Sequence, residues 1–201
     1  MRGRIYAAAL AVLLAAPAAA PSEGELLERG RRIVAARCFL CHGMRGESAS
    51  ELYPQIARQH PRYLEKQLRD FREGRRKGGG MEQMAADLTD ADIAALALYF
   101  SRQAPEPHPP SDPARVAVGR ALYFERPGEE LRSCAQCHGP DAAGSETRPR
   151  LAGQLPAYTA RQLRNFRERV RRNEDELMHR VAARLSDDQI DALADFLGTL
   201  K

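Results

Sequence analysis

Cysteine is scarce in this 201-residue chain: there are four, in two pairs of identical spacing. Four are too few to staple a scaffold of this size, so a cofactor or redox role is the better reading of them. Charge bias is equally slight. The formal net charge is +4, and residues 21–104 carry 14 basic and 12 acidic side chains against 15 and 15 in residues 105–201. Neither half has the basic excess of a nucleic-acid binder. No segment after the first twenty residues is apolar enough to cross a bilayer, and none alternates long enough to build a sheet. What is left is an all-α chain whose 43% hydrophobic content suffices for packed cores.

Residues 1–20 read as an export signal. Arg2 and Arg4 give a positive start, residues 5–16 are apolar, and small residues fill positions 16–20 as a signal peptidase requires. Twelve apolar residues fall short of the roughly 20 that span a bilayer, which argues against an uncleaved anchor. Cleavage after Ala18 suits this pattern, and the mature protein is expected in the periplasm. A second boundary lies at residues 105–113, where Pro105, Pro107, Pro109, Pro110 and Pro113 forbid a helix and favour a semi-rigid linker. It separates two domains, 21–104 and 114–201.

Those two domains repeat. Cys38-Phe-Leu-Cys41-His42 matches Cys134-Ala-Gln-Cys137-His138 at an offset of 96. Tyr63, Gln67, Leu68, Phe71 and Arg72 match Tyr158, Gln162, Leu163, Phe166 and Arg167 at 95, and Leu88-Thr-Asp matches Leu185-Ser-Asp at 97. The drifts are loop insertions, the largest at 125–130. Each half reads as helix, loop, helix, loop, helix. In the last helix Ile93, Leu96, Ala97 and Phe100 form one apolar stripe, copied by Ile190, Leu193, Ala194 and Leu197. Ser186 with Gln189, and Thr89 with Asp92, are capping boxes. The middle helices start at Pro61 and Pro156, where proline suits the first turn. Leu64, Leu68 and Phe71, then Tyr158, Leu163 and Phe166, are their expected inner faces.

Cys-x-x-Cys-His is the attachment signature of c-type haem. Two thiols three positions apart can each add to a haem vinyl group, and the following histidine then lies under the iron. Two such motifs, using every cysteine, behind an export signal and inside a repeat, make a strong signal. They predict two covalent haems on Cys38, Cys41, Cys134 and Cys137, with His42 and His138 as proximal ligands. A thioredoxin-like redox pair would need a strand–helix setting, and a zinc site would need ligands from both distant pairs. A disulfide within each pair would constrain little.

The sixth iron ligand is harder to read. Met81 and Met178 each stand seven residues before the leucine that opens the last helix motif, Leu88 and Leu185. They are the equivalent pair, and hence the candidate distal ligands. Met84 and Met44 read as gap-fillers, and His60 is a poorer candidate. His179 competes with Met178, but Arg180 and Arg184 suggest that it lies toward a polar surface. For the proximal histidines the carbonyls of Pro54 and Pro149 are candidate acceptors of the second ring N–H. Tyr53 and Tyr99 are open to two readings, contact with haem propionates or plain burial. So is the run Arg161, Arg164, Arg167, Arg169, Arg171 and Arg172: a solvated face, or a patch for an acidic partner or for propionates.

With both haem motifs, Pro149-Arg-Leu-Ala-Gly-Gln154, Tyr158-Thr-Ala-Arg-Gln-Leu-Arg-Asn-Phe166 and Met178 followed by Leu185-Ser-Asp187, the chain resembles the cytochrome c4 family from about residue 30 to 200. The first half departs from it: Ile56-Ala-Arg-Gln59 replaces Leu-Ala-Gly-Gln, and the loop after His42 lacks Asp-Gly. The resemblance implies two tandem class I cytochrome c-like domains related by pseudo-twofold symmetry, with His/Met ligation of both irons. It also implies a periplasmic electron carrier, membrane-associated in many cases, working between quinol–cytochrome c reductase and a terminal oxidase. An electron-transfer role, not an enzyme, is the expectation. The alternatives are a dihaem peroxidase, a thiosulfate-oxidising cytochrome (those resembling proteins with a cysteine axial ligand would need a fifth cysteine) and an electron-input subunit of a membrane complex.

Overall fold

The computed structural model describes residues 20–48, 50–110, 112–125 and 130–201. The expected export segment, apart from Ala20, and residues 126–129 of the 125–130 insertion lie outside them. The described residues are helical, with one isolated β-bridge between Ser145 and Arg148. No helix among them is long and apolar enough to cross a membrane.

The first half runs α1 (Glu23–Ile33), a π-helical turn (Val34–Cys38), α2 (Phe39–His42), α3 (Pro61–Arg72), α4 (Met81–Ala85) and α5 (Asp90–Ser101). The second runs α6 (Arg115–Phe124), α7 (Cys134–His138), α8 (Pro156–Arg167), α9 (Glu176–Ala182) and α10 (Asp187–Thr199). Local chemistry sets these boundaries. Ser22 with Glu25, Thr89 with Asp92 and Ser186 with Gln189 cap α1, α5 and α10 reciprocally, and Pro61 and Pro156 open α3 and α8. The simple three-helix reading of each half omits α2, α4, α7 and α9, all of seven residues or fewer.

Each half closes on its last helix. Ile93, Leu96, Ala97 and Phe100 of α5 are buried against Val34, Leu64, Phe71 and Leu88. In α10 Leu193, Phe196 and Leu197 pack with Tyr123 and Ala152, while Ile190 and Ala194 meet Ala160. Each large side chain buried this way contributes about 1.5–3 kcal/mol. The first helix of each half crosses the last through a glycine. A Cβ on Gly30 would come within 2.5 Å of the Ala95 carbonyl oxygen, and one on Gly119 would collide with that of Ala192.

The halves meet in reciprocal pairs. The Arg150 N–H donates to Gln59 Oε1 and Gln59 Nε2 donates to the Arg150 carbonyl, both at 2.9 Å. At the mirrored place, the Gln55 N–H donates to Gln154 Oε1 at 2.9 Å and Gln154 Nε2 to the Gln55 carbonyl at 2.8 Å. Arg76 donates to the Tyr158 hydroxyl at 3.0 Å and to Gln162 at 3.2 Å, while Arg171 donates to the Tyr63 hydroxyl at 2.9 Å and to Gln67 at 3.3 Å. Each guanidinium also sits 4.6 Å over a phenylalanine of its own half, Phe71 or Phe166. Tyr158, expected on an inner helix face, thus turns its hydroxyl to the other half.

The proline-rich segment is pinned as well as stiff. Gln55 receives the Glu106 N–H at 2.7 Å and donates to the Glu106 carbonyl at 2.8 Å. Two residues on, the His108 N–H donates to the Gly198 carbonyl at 2.9 Å.

Candidate haem sites

Each Cys-x-x-Cys-His motif forms one short helix, α2 preceded by its π turn and α7 opening on Cys134. Gly43 and Gly139 end these helices at φ +75° and +83°, a left-handed stop that turns the chain away at once. All four thiols are free and half-buried. Burial pushes Cys38 and Cys134 up to about 11. At neutral pH both stay protonated, unlike the nucleophilic cysteine of a dithiol redox pair.

His42 and His138, each 7% exposed, are held identically. Nδ1–H of His42 donates to the Pro54 carbonyl at 3.2 Å, and that of His138 to the Pro149 carbonyl at 3.0 Å. These are the two acceptors expected from the sequence. With Nδ1 carrying the proton, Nε2 keeps its lone pair, the form in which imidazole binds a metal. Burial lowers both pKa values against the opposing carbonyl bonds, so the rings stay neutral. Beside Cys134 a cavity of about 240 Å³ opens, lined by Leu122, Val181, Leu185 and Leu193 with Glu125, Arg184 and Gln189. Neutral, oriented imidazoles next to free thiols fit a c-type haem.

The methionine candidates separate by burial. Met81 begins α4 after three glycines with positive φ, and it is half-buried against the first core. Met84 is 38% exposed and Met44 37%. His60 donates from Nε2 to the Ala143 carbonyl at 2.8 Å, which ties its ring to the other half. In α9 Met178 is half-buried. His179 corrects the sequence reading: it is 4% exposed, with Nδ1–H on the Phe166 carbonyl at 2.8 Å, not at a polar surface. The charges of Arg180 and Arg184 misled, because adjacent positions on a short helix such as α9 face solvent and core in turn.

Tyr99 donates its hydroxyl to the Met44 carbonyl at 3.0 Å, and Tyr53 stands edge-on to His42 at 6.1 Å. The arginine run is neither a free patch nor merely solvated. Arg164 and Arg167 pair with Asp187, Arg169 pairs with Glu176, and Arg171 is buried between the halves. Sequence reasoning missed Gln55, Gln59, Arg76, Arg150 and Gln154. Their pairing across the halves was signalled by nothing beyond a constant offset of 95.

The cytochrome c family model matches residues 27–103 and again 116–201. Cytochrome c4 of Thiocapsa roseopersicina is 37% identical over 185 residues, which span 90% of this chain and 95% of that protein. The chain belongs to the cytochrome c4 family. The crystal structure of reduced cytochrome c4 from Pseudomonas stutzeri superposes with a TM-score of 0.80 at 36% identity, covering 87% of this chain and 98% of that one. A further relative, from Thiomonas intermedia, is described as a thiosulfate dehydrogenase electron acceptor; it is 37% identical over 81% of this chain and 78% of its own length. Two tandem cytochrome c domains and two c-type haems are therefore the architecture and cofactors of this chain, a member of a family of dihaem electron carriers.

Proposed function

We propose that the chain is a periplasmic carrier that moves single electrons between respiratory partners, from a quinol–cytochrome c reductase toward a terminal oxidase. Cys38 and Cys41 hold one haem and Cys134 and Cys137 the other. His42 and His138 are the proximal ligands, Met81 and Met178 the distal ones. The observation that carries this reading is the matched pair of histidines, each aimed by a proline carbonyl, 12 residues on in the first half and 11 in the second.

When bound, each haem iron supplies a one-electron ferrous/ferric couple, and a thioether ligand favours its ferrous form. The chain supplies position and dryness. Pro54 and Pro149 fix the imidazole tautomer and the ring plane. Half-buried Met81 and Met178 would each offer a thioether sulfur to an iron away from bulk water. The reciprocal glutamine and arginine pairs hold both sites in one frame, so no domain motion is needed between oxidation states.

Redox titration of the exported protein should show two one-electron transitions, and reduced protein should be reoxidised by oxidase-containing membranes. A hydroperoxide turnover, or a titration showing a single haem, would overturn the reading. The name of the Thiomonas relative favours a second reading, in which the electrons come from a thiosulfate-oxidising enzyme. Reduction by such an enzyme with thiosulfate, faster than by quinol and reductase, would establish that donor instead.

A further inference from the structure

Arg150 is a buried charge without a counter-charge. It is 7% exposed, and its Nε and Nη2 have no hydrogen-bond partner among the described residues. At its place in the first half stands neutral Gln55, whose amide is spent on Glu106 and the Gly153 carbonyl. The backbone around Arg150 is fixed twice. The Pro149 carbonyl receives His138, and Gln59 takes the Arg150 N–H and carbonyl. The side chain thus leaves from a set point beside the second histidine.

The neighbouring charge has the wrong sign. After burial itself, Arg58 is the main influence lowering the Arg150 pKa, and Asp141 opposes it only through space. Arg58 moreover holds φ +55° where its counterpart Gly153 holds +67°. A side chain kept in the left-handed region is strained, and such strain concentrates where function requires the residue. An unpaired buried guanidinium is among the costliest features a fold can carry. A buried guanidinium with no bonded carboxylate and a second cation as its neighbour calls for an anion brought from outside the polypeptide.

We infer that Arg150, with Arg58 beside it, is the internal counter-charge for a propionate carboxylate of the haem held by Cys134, Cys137 and His138. The inference rests on the two-haem reading above. A carboxylate matches the planar guanidinium fork in shape as well as charge. A fixed cation near one iron, with neutral Gln55 at the matching place near the other, favours the ferrous state at the second iron. Arg150 is therefore a determinant of the difference between two otherwise repeated sites.

The test is a redox titration of the full dihaem protein. The first haem's transition is assigned as the one that remains when Cys134 and Cys137 are both replaced by serine. Arg150→Gln, which copies Gln55, should lower the second transition so that the ferrous/ferric ratio at a fixed applied potential falls several-fold. Arg150→Lys should retain most of the original value. Arg58→Gly copies Gly153 and alters an exposed side chain, so it remains informative if Arg150→Gln does not accumulate; it should give a smaller shift of the same sign. Equal shifts for the glutamine and lysine variants, no shift in either, a shift of the first haem instead, or a rise with Arg58→Gly would each overturn the inference. Two transitions missing from the unmutated protein would undo the two-haem reading instead.

Discussion

At position 70 the first half buries an aspartate; at the matching position 165 the second half has an asparagine. The backbone is the same in both: the Asp70 carbonyl accepts the Arg76 N–H at 2.9 Å, and the Asn165 carbonyl accepts that of Arg171 at 3.0 Å. The charges are not. Asp70 is ringed by Lys66, Arg75 and, from the other half, Asn173, each at 2.7 Å. Arg171 has Glu174 at 3.0 Å, whereas among the described residues the buried Arg76 guanidinium bonds to neutral Gln67, Tyr158 and Gln162. The duplication has kept hydrogen bonds that define shape and has let charge diverge. Shape is shared by both haem sites, but charge is what can make two copies of one chemistry differ.

The largest expected effect tests whether the halves load independently. Replacing Cys134 and Cys137 by serine should leave the mature protein exactly one haem lighter by intact mass, with the first haem's spectrum preserved. Loss of both haems would show that the second half must be loaded before the first can fold. Next comes the distal ligand proposed in α9. Met178→Ala should lower the second potential by more than about 59 mV, the one-electron decade, and abolish the sulfur-to-iron absorption of one haem. His179→Ala should leave that band in place. The buried position of His179 makes this a sharp contrast, and a bis-histidine magnetic resonance spectrum of the unmutated protein would reverse it.

Stability comparisons follow. Gly119→Ala drives a methyl into the Ala192 carbonyl, a clash tighter than that of Gly30→Ala with Ala95. The first should cost about 3 kcal/mol and the second less, read as thermal midpoints. Arg171→Met takes one of two cations from half-buried Glu174, which keeps Lys66 at 3.2 Å, and should cost about 2–4 kcal/mol. Arg76→Met strands only neutral groups and should cost about 1–3 kcal/mol. Equal losses would mean that the charge at 174 does not matter.

The smallest effect is a pH profile. Burial raises the Asp70 pKa, but bonds from Asn173, Lys66 and Arg75 outweigh it and hold the group below its ordinary value. Its stabilisation is therefore present above the unfolded pKa of about 3.9 and is lost as pH falls through the folded one. Asn165, its counterpart, does not titrate. Asp70→Asn should flatten the stability curve below about pH 4 in urea titrations; an unchanged curve would show that Asp70 contributes nothing to acid lability.

Much of this was legible in the sequence because it is local. Ile93 to Phe100 and Ile190 to Leu197 announce their helices by spacing, and the haem motifs carry their chemistry within five residues. Even the Pro54 and Pro149 carbonyls followed from the repeat. Helices α4 and α9 were not legible, since five and seven residues are too few for a period to show. Nor were the pairings between halves. Gln59 with Arg150 spans 91 residues and Arg171 with Tyr63 spans 108, and nothing local marks a glutamine as half of such a pair. Arg171 was hidden for a further reason: it sits in a run of arginines whose other members make ordinary ion pairs.

The pinning of the proline-rich segment at Glu106 and His108 has a kinetic consequence. A tether fastened at both ends leaves the halves no relative diffusion, so the molecule tumbles as one particle. Exchange of an electron between the two centres is then a unimolecular event, indifferent to protein concentration and to the viscosity of the medium. Encounters with donor and acceptor depend on both. In a crowded medium, traffic through this protein is governed at its ends and not at its middle.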